Sequence, residues 1–348
     1  GNVVSTVAFV LQNRHQTKHK GDYIRLIDGT SEAEKKSALK SIIKNPDHRQ
    51  LYRISMANFN TIPGKTIAYW GTKAQFQIFA QNPQLSAFCE KRLGLCTGNN
   101  ELFIRTWNEV QISSIGFSHN NLVSFHESNK LYAPHNKGGP ALKWVGNQNM
   151  VIKFDPDHYE QLSNRCNKLA SKSRYFQPSI TWSELGSKFS VRLLPAGFVF
   201  NIKGPSIFIE DSKRKFLAGL LNSKVSTYLL KLVSSTISFN GGDIEKIPVI
   251  YSEKIKVRID SIVDKIQIYS LSNYSSYETT WDFTSLPILS KKYHTATLQD
   301  AYTNLRKHWK TTTVEVQRLE QEINRIFIEE YALTNELTPY VPLAKITL

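Results

Sequence analysis

Two stretches decide the fold class: FSVRLLPAGFVFNI at residues 189–202 and FLAGLLNSKVSTYLLKLV at residues 216–233. The first holds short β-branched and aromatic runs separated by a Pro/Gly turn, which predicts strands at 189–192 and 197–202. The second repeats its apolar residues at helical spacing and predicts one buried amphipathic helix. A buried helix beside short strands is typical of an α+β fold.

The surrounding residues 68–250 share this pattern. Short apolar runs at 117–126 and 151–154 alternate with turns rich in Gly, Asn and Pro. Such spacing predicts a mixed, mainly β domain with many loops, in which the helix at 216–233 is buried. Ile247-Pro248-Val249 is expected to close this domain.

Residues 1–67 predict the edge of an α/β domain. Runs at 3–11 and 23–27 predict a β-hairpin, and a further strand is expected at 51–56. Ser31 followed by Glu34 is a capping box, so a helix is expected over 31–44, ended by Asn45-Pro46. Because Gly1 leads straight into an apolar run, we expect a piece of a longer protein.

Residues 251–348 predict a helical region. Helices are expected at 255–268 and 295–310, with an irregular stretch at 270–290. Thr312 and Glu315 have capping-box spacing and predict the start of the last helix. We expect its apolar stripe to pack on the helix at 255–268; a dimeric coiled coil is the alternative, although sustained heptads are absent. The stripe consists of Val316, Leu319, Ile323, Ile326 and Phe327.

The net charge of +15 is unevenly distributed. Residues 1–67 carry +6, residues 68–250 carry +9 and residues 251–348 carry none. A basic excess confined to one region suggests a polyanion partner, and between 130 and 192 the cations alternate with aromatic residues that could stack on bases. The alternative is a solvated lysine-rich face above core aromatics.

Three cysteines, Cys89, Cys96 and Cys166, are sparse and odd in number. This argues against a disulfide framework, and without zinc-ligand spacing we expect buried free thiols. No apolar run approaches the roughly 20 residues of a membrane helix. The expected protein is therefore cytoplasmic and has no membrane partner.

The motifs of common enzymes are missing from the sequence, including phosphate-binding loops and nucleophile elbows. An amino-methyltransferase needs a Gly-rich turn for its cofactor and an Asn/Asp-Pro-Pro-aromatic loop for the flipped adenine. Asp155-Pro156-Asp157-His158-Tyr159 lacks the second proline and predicts a turn followed by a helix. We therefore predict no catalytic, cofactor-binding or metal-binding residue in this chain.

Short segments ordered along nearly the whole chain carry a resemblance. They include Val7-Ala8-Phe9-Val10-Leu11, Arg53-Ile54-Ser55-Met56-Ala57-Asn58-Phe59, Gly94-x-x-Thr97-Gly98-Asn99-Asn100, Asn136-Lys137-Gly138-Gly139, Ile180-Thr181-Trp182-Ser183, Leu220-Leu221-Asn222-Ser223-Lys224 and Gly242-Asp243-Ile244-x-x-Ile247-Pro248-Val249. As an ordered set they resemble the C-terminal half of the PglX family, the adenine-specific DNA methyltransferases of BREX phage-defence systems. Some of them are also similar to target-recognition domains of fused restriction–modification enzymes.

The resemblance implies three parts. Residues 1–67 would be the closing strands of a Rossmann-like methyltransferase domain, 68–250 a DNA target-recognition domain and 251–348 a helical spacer. The family carries its S-adenosylmethionine and catalytic motifs upstream, so this chain alone is expected to hold no cofactor and to be inactive. The implied partners are double-stranded DNA, the upstream methyltransferase core and other BREX proteins.

Loops of the middle region supply the DNA-binding candidates. Glycine turns let the backbone approach phosphates, Lys and Arg neutralise them, and Arg pairs well with guanine. For Arg192 a structural ion pair is the alternative, and for Trp144 and Trp182 it is core packing. The candidates are Thr97, Asn99, Asn100, Lys137, Gly138, Lys143, Trp144, Arg174, Tyr175, Thr181, Trp182, Ser183, Lys188 and Arg192.

Two hypotheses of function follow. The first is sequence-specific recognition of duplex DNA that presents one adenine for N6-methylation. The second is a non-catalytic module that docks BREX proteins, or a phage-encoded DNA mimic, on the same basic face. DNA reading should depend on sequence, whereas docking of a general polyanion should not.

Overall fold

The computed structural model describes residues 7–13, 19–184, 188–234 and 239–348. The chain divides into two compact units, Gly1–Phe76 and Gln77–Leu348. Helices and strands are both abundant, and the predicted α+β fold class is confirmed. The boundaries at 67/68 and 250/251 remain predictions.

The described residues form ten α-helices and ten strands. The helices are α1 (Glu32–Lys44), α2 (Lys73–Gln81), α3 (Asn100–Phe103), α4 (Leu122–Glu127), α5 (Pro156–Ser163), α6 (Asp211–Asn222), α7 (Lys224–Val233), α8 (Gly241–Ile244), α9 (Glu253–Tyr274) and α10 (Leu298–Glu330). The strands are β1 (Lys20–Ile24), β2 (Leu51–Ser55), β3 (Glu90–Arg92), β4 (Ile104–Thr106), β5 (Tyr132–Asn136), β6 (Met150–Lys153), β7 (Ser179–Trp182), β8 (Val191–Leu194), β9 (Val199–Phe200) and β10 (Ser206–Phe208).

In the first unit, β1 and β2 form an antiparallel ribbon with Lys20 opposite Ser55 and Ile24 opposite Leu51. The predicted capping box of α1 is confirmed, since the Ser31 side chain accepts a hydrogen bond from the Glu34 backbone and Glu34 bonds back to Ser31. The predicted strand at 3–11 is wrong for residues 7–11, which form no strand and leave Val10 99% exposed. Residues 3–6 lie outside the described part of the chain.

Two four-stranded sheets form the centre of the second unit. One has the order β3-β10-β7-β8 with antiparallel pairs throughout. The other has the order β4-β6-β5-β9, in which only the β5–β9 pair is parallel. Aromatic side chains fill the core beside the second sheet, including Phe103, Phe125, Phe154, Phe176 and Phe200.

Side-chain caps overrule two of the sequence predictions. The predicted strand at 117–126 is wrong because Asn121 accepts a hydrogen bond from the Ser124 backbone N–H and starts α4. The predicted helix at 216–233 is two helices, because Ser223 ends α6 and its hydroxyl caps α7. Both cases show a local side-chain-to-backbone bond competing with the apolar pattern.

Helices α9 and α10 form the helical region, and α10 is a single helix of 33 residues. The start predicted at Thr312 is wrong, since Thr297 caps α10 and accepts from the Asp300 backbone N–H. The predicted stripe is buried, and α10 packs on α9, α6 and α7. The expected packing of the stripe on the helix at 255–268 is thus confirmed.

Candidate nucleic-acid interface

The Thr97–Asn100 turn (residues 97–100) brings three of the predicted residues together. Thr97 is buried, and its hydroxyl donates to Asn100 Oδ1 at 2.7 Å. Asn99 caps α3 by accepting from the Leu102 backbone N–H at 3.1 Å. Gly98 has a φ of 69° and is exposed together with Asn99 and Asn100. The turn therefore presents backbone and side-chain amides to solvent while Thr97 holds its shape.

A second segment, the basic loop (residues 164–174), is fastened to residues 93–96, which lead from β3 into this turn. Cys166 is bonded to Cys96, and the Cys96 backbone N–H donates to Asn167 Oδ1 at 2.9 Å. Asn167 Nδ2 donates to the Gly94 carbonyl at 2.9 Å, and the Ser171 hydroxyl donates to the Leu93 carbonyl at 2.9 Å. One disulfide and three hydrogen bonds thus hold the two segments side by side.

The backbone of the basic loop is strained. Cys166, Lys168, Leu169 and Ser171 have φ values of 42°, 50°, 54° and 62°, in the left-handed region that residues with a side chain rarely adopt. Conformations of this kind persist only where the surroundings determine them, and they concentrate at functional sites. Here the Cys96–Cys166 disulfide and the hydrogen bonds of Asn167 and Ser171 hold the loop in these conformations.

The basic loop carries four cations and no acidic residue. Arg165, Lys168 and Lys172 are exposed, and among the described residues no carboxylate lies within ion-pair distance of them. Arg174, a predicted base reader, is paired with Glu90 and bonded to Gln177. Arg165, Lys168 and Lys172 therefore present unpaired positive charge to solvent.

Tyr175 supports the basic loop from inside. It is buried, and its hydroxyl donates to the Ala170 carbonyl at 2.7 Å. Burial raises the pKa of Tyr175 far above its usual value, so the phenol stays neutral. The sequence analysis selected Arg174 and Tyr175 as candidates but not Arg165, Lys168 and Lys172. The signal for these three was a run of cations without an acidic residue.

The disulfide corrects the expectation of three free thiols, because only Cys89 is unpaired and burial raises its pKa to about 12. Cys96 and Cys166 lie 70 residues apart, and a bond that closes such a loop stabilises a fold by about 2 to 4 kcal/mol. We expect reductant to lower the melting temperature of the wild type but not that of a Cys96→Ser/Cys166→Ser variant.

Thiol titration of the denatured, unreduced chain provides the control for this prediction. It should find one reactive thiol, that of Cys89. Three reactive thiols, together with a melting temperature that does not respond to reductant, would contradict the assignment.

Other predicted residues gather where β5 and β7 end. Asn136 Nδ2 donates to Thr181 Oγ1 at 2.7 Å and to the Gly204 carbonyl at 3.0 Å. Thr181 and Trp182 are fully buried, and the Trp182 indole N–H donates to the Phe239 carbonyl. These side chains link the ends of neighbouring strands and lie in the core. For Trp182 this agrees with the core-packing alternative.

Gly138 has an internal reason for being glycine. Its φ is 87°, and a Cβ there would lie 2.5 Å from the Lys203 carbonyl oxygen. Glycine is therefore needed here because the Gly138 backbone lies close to the Lys203 backbone, and not for an approach to DNA. Among the other candidates, Lys188 is exposed, and Lys137 and Ser183 are partly exposed.

Arg192 is 1% exposed on β8. Its Nη2 lies 3.4 Å from Ser183 Oγ, and within the described residues Nε and Nη1 have no hydrogen-bond partner. Burial lowers its pKa to about 10, so the guanidinium is charged at neutral pH. The structural ion pair expected as an alternative is absent from the described part of the chain, and the burial leaves no guanidinium edge for a base.

We expect Arg192→Met to raise the free energy of unfolding by about 1 to 2 kcal/mol, because an apolar side chain of similar length removes a buried, poorly paired charge. Urea denaturation measures this change. Arg192→Lys, which keeps the charge, should not stabilise the protein. A destabilised Met variant would show that the guanidinium makes a compensating interaction.

Lys143 and Trp144 contact α10. Lys143 Nζ lies 2.6 Å from Glu320 Oε2, and the Trp144 indole N–H donates to Glu320 Oε1 at 2.9 Å. Glu320 is 3% exposed and Trp144 is 1% exposed. These two candidates therefore fasten the β region to the helical region, and Trp144 follows the core-packing alternative.

Among the residues that the structure describes, no group of three or more His, Cys, Asp or Glu side chains is arranged to hold a metal ion. No helix in this part of the chain combines the length and the apolar character needed to traverse a bilayer.

Comparison with known proteins gives two relatives, while no family model matches the chain. The chain is similar to the adenine-specific methyltransferase PglX of Lacticaseibacillus casei (strain Zhang), at 33% identity over 355 residues that cover 97% of the chain and 29% of the relative. It is also similar to the adenine-specific methyltransferase BrxX of Escherichia coli O9:H4 (strain HS), at 30% identity over 343 residues that cover 97% and 27%. The chain spans less than a third of either relative.

Proposed function

Because the chain belongs to the family of the adenine-specific methyltransferases PglX and BrxX, we propose that it is the part of such an enzyme that grips and reads duplex DNA. In this proposal it recognises a specific double-stranded sequence so that one adenine within it is methylated at N6. The enzyme would act in a BREX phage-defence system.

One observation carries the proposal: the basic loop and the Thr97–Asn100 turn are fastened into one exposed element. Unpaired Lys and Arg side chains bind phosphates and set the register of a protein on a duplex. Amide side chains such as that of Asn100 bond to base edges. A fixed loop that carries both kinds of group meets the two requirements of sequence reading.

The remaining predicted residues receive roles according to their exposure. We propose that Lys137, Ser183 and Lys188 contact the DNA backbone at the rim of the surface. The buried candidates, together with the partly exposed Gly138, would shape this surface from within: Thr97, Trp144, Tyr175, Thr181, Trp182 and Arg192. Residues 1–67, 68–250 and 251–348 would be the closing strands of the methyltransferase domain, the target-recognition domain and the helical spacer.

The methyl donor, S-adenosylmethionine, does not fit the residues of this chain. The turn between β1 and α1 holds a single glycine, Gly29, whereas S-adenosylmethionine needs a glycine-rich turn that lets the backbone approach it closely. The chain also lacks the Asn/Asp-Pro-Pro-aromatic sequence. We therefore derive no transfer step for these residues and propose that the upstream methyltransferase core supplies that chemistry.

Lysine acetylation in the presence of duplex DNA tests the location of the interface. Lys168 and Lys172 should be protected most, and Lys137 and Lys188 should be protected partially. Lys254 and Lys265, which are exposed on α9, should react equally with and without DNA. Uniform protection, or none at the basic loop, would overturn the proposed location.

The docking alternative uses the same charges and differs in its outcome. An acidic DNA mimic or a BREX protein would be held by the pattern of charge and not by base edges. If heparin at matched charge protects Lys168 and Lys172 as well as every duplex does, docking of a partner is favoured over sequence reading.

A further inference from the structure

We propose a second DNA-backbone surface on the N-terminal half of α10 and the segment before it, separate from the basic loop. This α10 basic face consists of Arg306, Lys307 and Lys310 on the helix and of Lys291 and Lys292 in the preceding segment, and its partner is the phosphate backbone of duplex DNA. The inference rests on the proposed function for the identity of the polyanion, and it adds a contact that the sequence pattern of residues 251–348 concealed.

The zero net charge of residues 251–348 conceals opposite charges along α10 and the segment that leads into it. Residues 291–310 contain five Lys/Arg and one Asp, whereas residues 311–348 contain three Lys/Arg and six Asp/Glu. The positive half of the helix precedes Thr312 and the negative half follows it. A uniformly solvated helix would mix both signs along its length.

The ion pairs of α10 also differ on the two sides of Thr312. In the negative half, Arg318 pairs with Glu315 and Arg325 pairs with Glu322. The five cations of the α10 basic face are all exposed, and among the described residues none has a carboxylate within 4.0 Å. Unpaired charges of one sign on a rigid element attract a polyanion.

The helix is held from its other side. Ala301 and Leu305 are buried, and the ring of Tyr293 packs against that of His308 at 5.6 Å. Arg306 and Lys310 are four residues apart and share a face. The α10 basic face is therefore positioned by packing and free toward solvent.

Exposed aromatic rings lie among these cations. Tyr302 is 49% exposed and Trp309 is 38% exposed. The Arg306 guanidinium carbon lies 5.9 Å from the centre of the Tyr302 ring. Helices that bind membranes place apolar and cationic side chains on opposite faces, whereas here Arg306 lies against the Tyr302 ring. This mixture suits a sugar–phosphate backbone better than a bilayer.

The test is a triple variant, Arg306→Gln/Lys307→Gln/Lys310→Gln, which removes charge and keeps good helix formers. We expect affinity for duplex DNA to fall on the order of tenfold and the slope of log affinity against log salt to become shallower by about 2 to 3. The preferred DNA sequence should not change. Lys231→Gln/Lys254→Gln/Lys265→Gln, with three exposed lysines on α7 and α9, is the matched control.

An unchanged affinity and salt slope in the triple variant, with helix content preserved by circular dichroism, would overturn the second surface. The proposed function would still stand if neutralising the basic loop lowered the affinity and Asn100→Ala changed the preferred sequence in the same assay. A loss of binding to anionic phosphatidylserine vesicles with DNA binding intact would assign the face to a membrane and also overturn the proposal. Absence of duplex binding by the wild type at low salt would overturn both.

Discussion

Glu320→Ala is expected to lower the free energy of unfolding by about 3 to 5 kcal/mol, the cost of leaving a partly buried cation and an indole N–H without their acceptor. Glu320 accepts from Lys143 Nζ at 2.6 Å and from Trp144 Nε1 at 2.9 Å. Both donors belong to one short segment, so a single substitution removes both bonds. Urea denaturation of the wild type and the variant measures the loss.

Glu329→Ala provides the control, because Glu329 is exposed on the same helix and appears in none of the ion pairs of the described residues. It should change stability by less than about 0.5 kcal/mol, as surface substitutions usually do. Glu320→Gln keeps an acceptor for the indole and should fall between the two. A loss below about 1 kcal/mol for Glu320→Ala would contradict a structural role for this carboxylate.

The position of Glu320 also predicts how unfolding proceeds. It joins α10 to the segment before β6, so the helical and β regions of the second unit should unfold in one transition. Two transitions in the wild type, reported separately by far-UV circular dichroism and tryptophan fluorescence, would show that the contact does not couple them.

The variant Arg165→Gln/Lys168→Gln/Lys172→Gln is expected to lower affinity for duplex DNA on the order of 100-fold at low salt, with a salt slope shallower by about 2 to 3. These side chains are exposed and unpaired in the described residues, so they are free to neutralise phosphates. Fluorescence anisotropy across a salt series measures both quantities.

Stability separates this effect from misfolding. The disulfide and the Asn167 bonds remain in the variant, so its melting temperature should match that of the wild type. The Lys231→Gln/Lys254→Gln/Lys265→Gln chain loses the same charge and should keep both affinity and slope. Equal losses of affinity in the two triple variants would show that DNA binding depends on net charge and not on the position of the basic loop.

Local signals in the sequence were sufficient for several elements. The capping box at Ser31 and Glu34 placed α1, and Pro156 at the first helical position placed α5. The same kind of signal failed at Thr312, which lies in the middle of α10. A Thr-x-x-Glu sequence marks a helix start only where the preceding residues are not helical, and a local pattern does not contain that information.

The site was harder to predict because its organising contacts are distant in sequence. Trp144 and Lys143 looked like DNA ligands because their acceptor, Glu320, lies 176 and 177 residues away. The Cys96–Cys166 bond spans 70 residues, and an odd cysteine count concealed it. The charge of Arg165, Lys168 and Lys172 was evident, but their fixed position beside the Thr97–Asn100 turn required the fold.

The central claim is sequence reading, and selection from a pool of random duplexes at several salt concentrations tests it most directly. We predict that this chain enriches one motif and that its affinity falls steeply with salt. Neutralising the basic loop should weaken binding, and Asn100→Ala should change the enriched motif. Tight, salt-sensitive binding with no enriched motif would contradict sequence reading and leave a general phosphate clamp. No binding at low salt would contradict the DNA interface altogether.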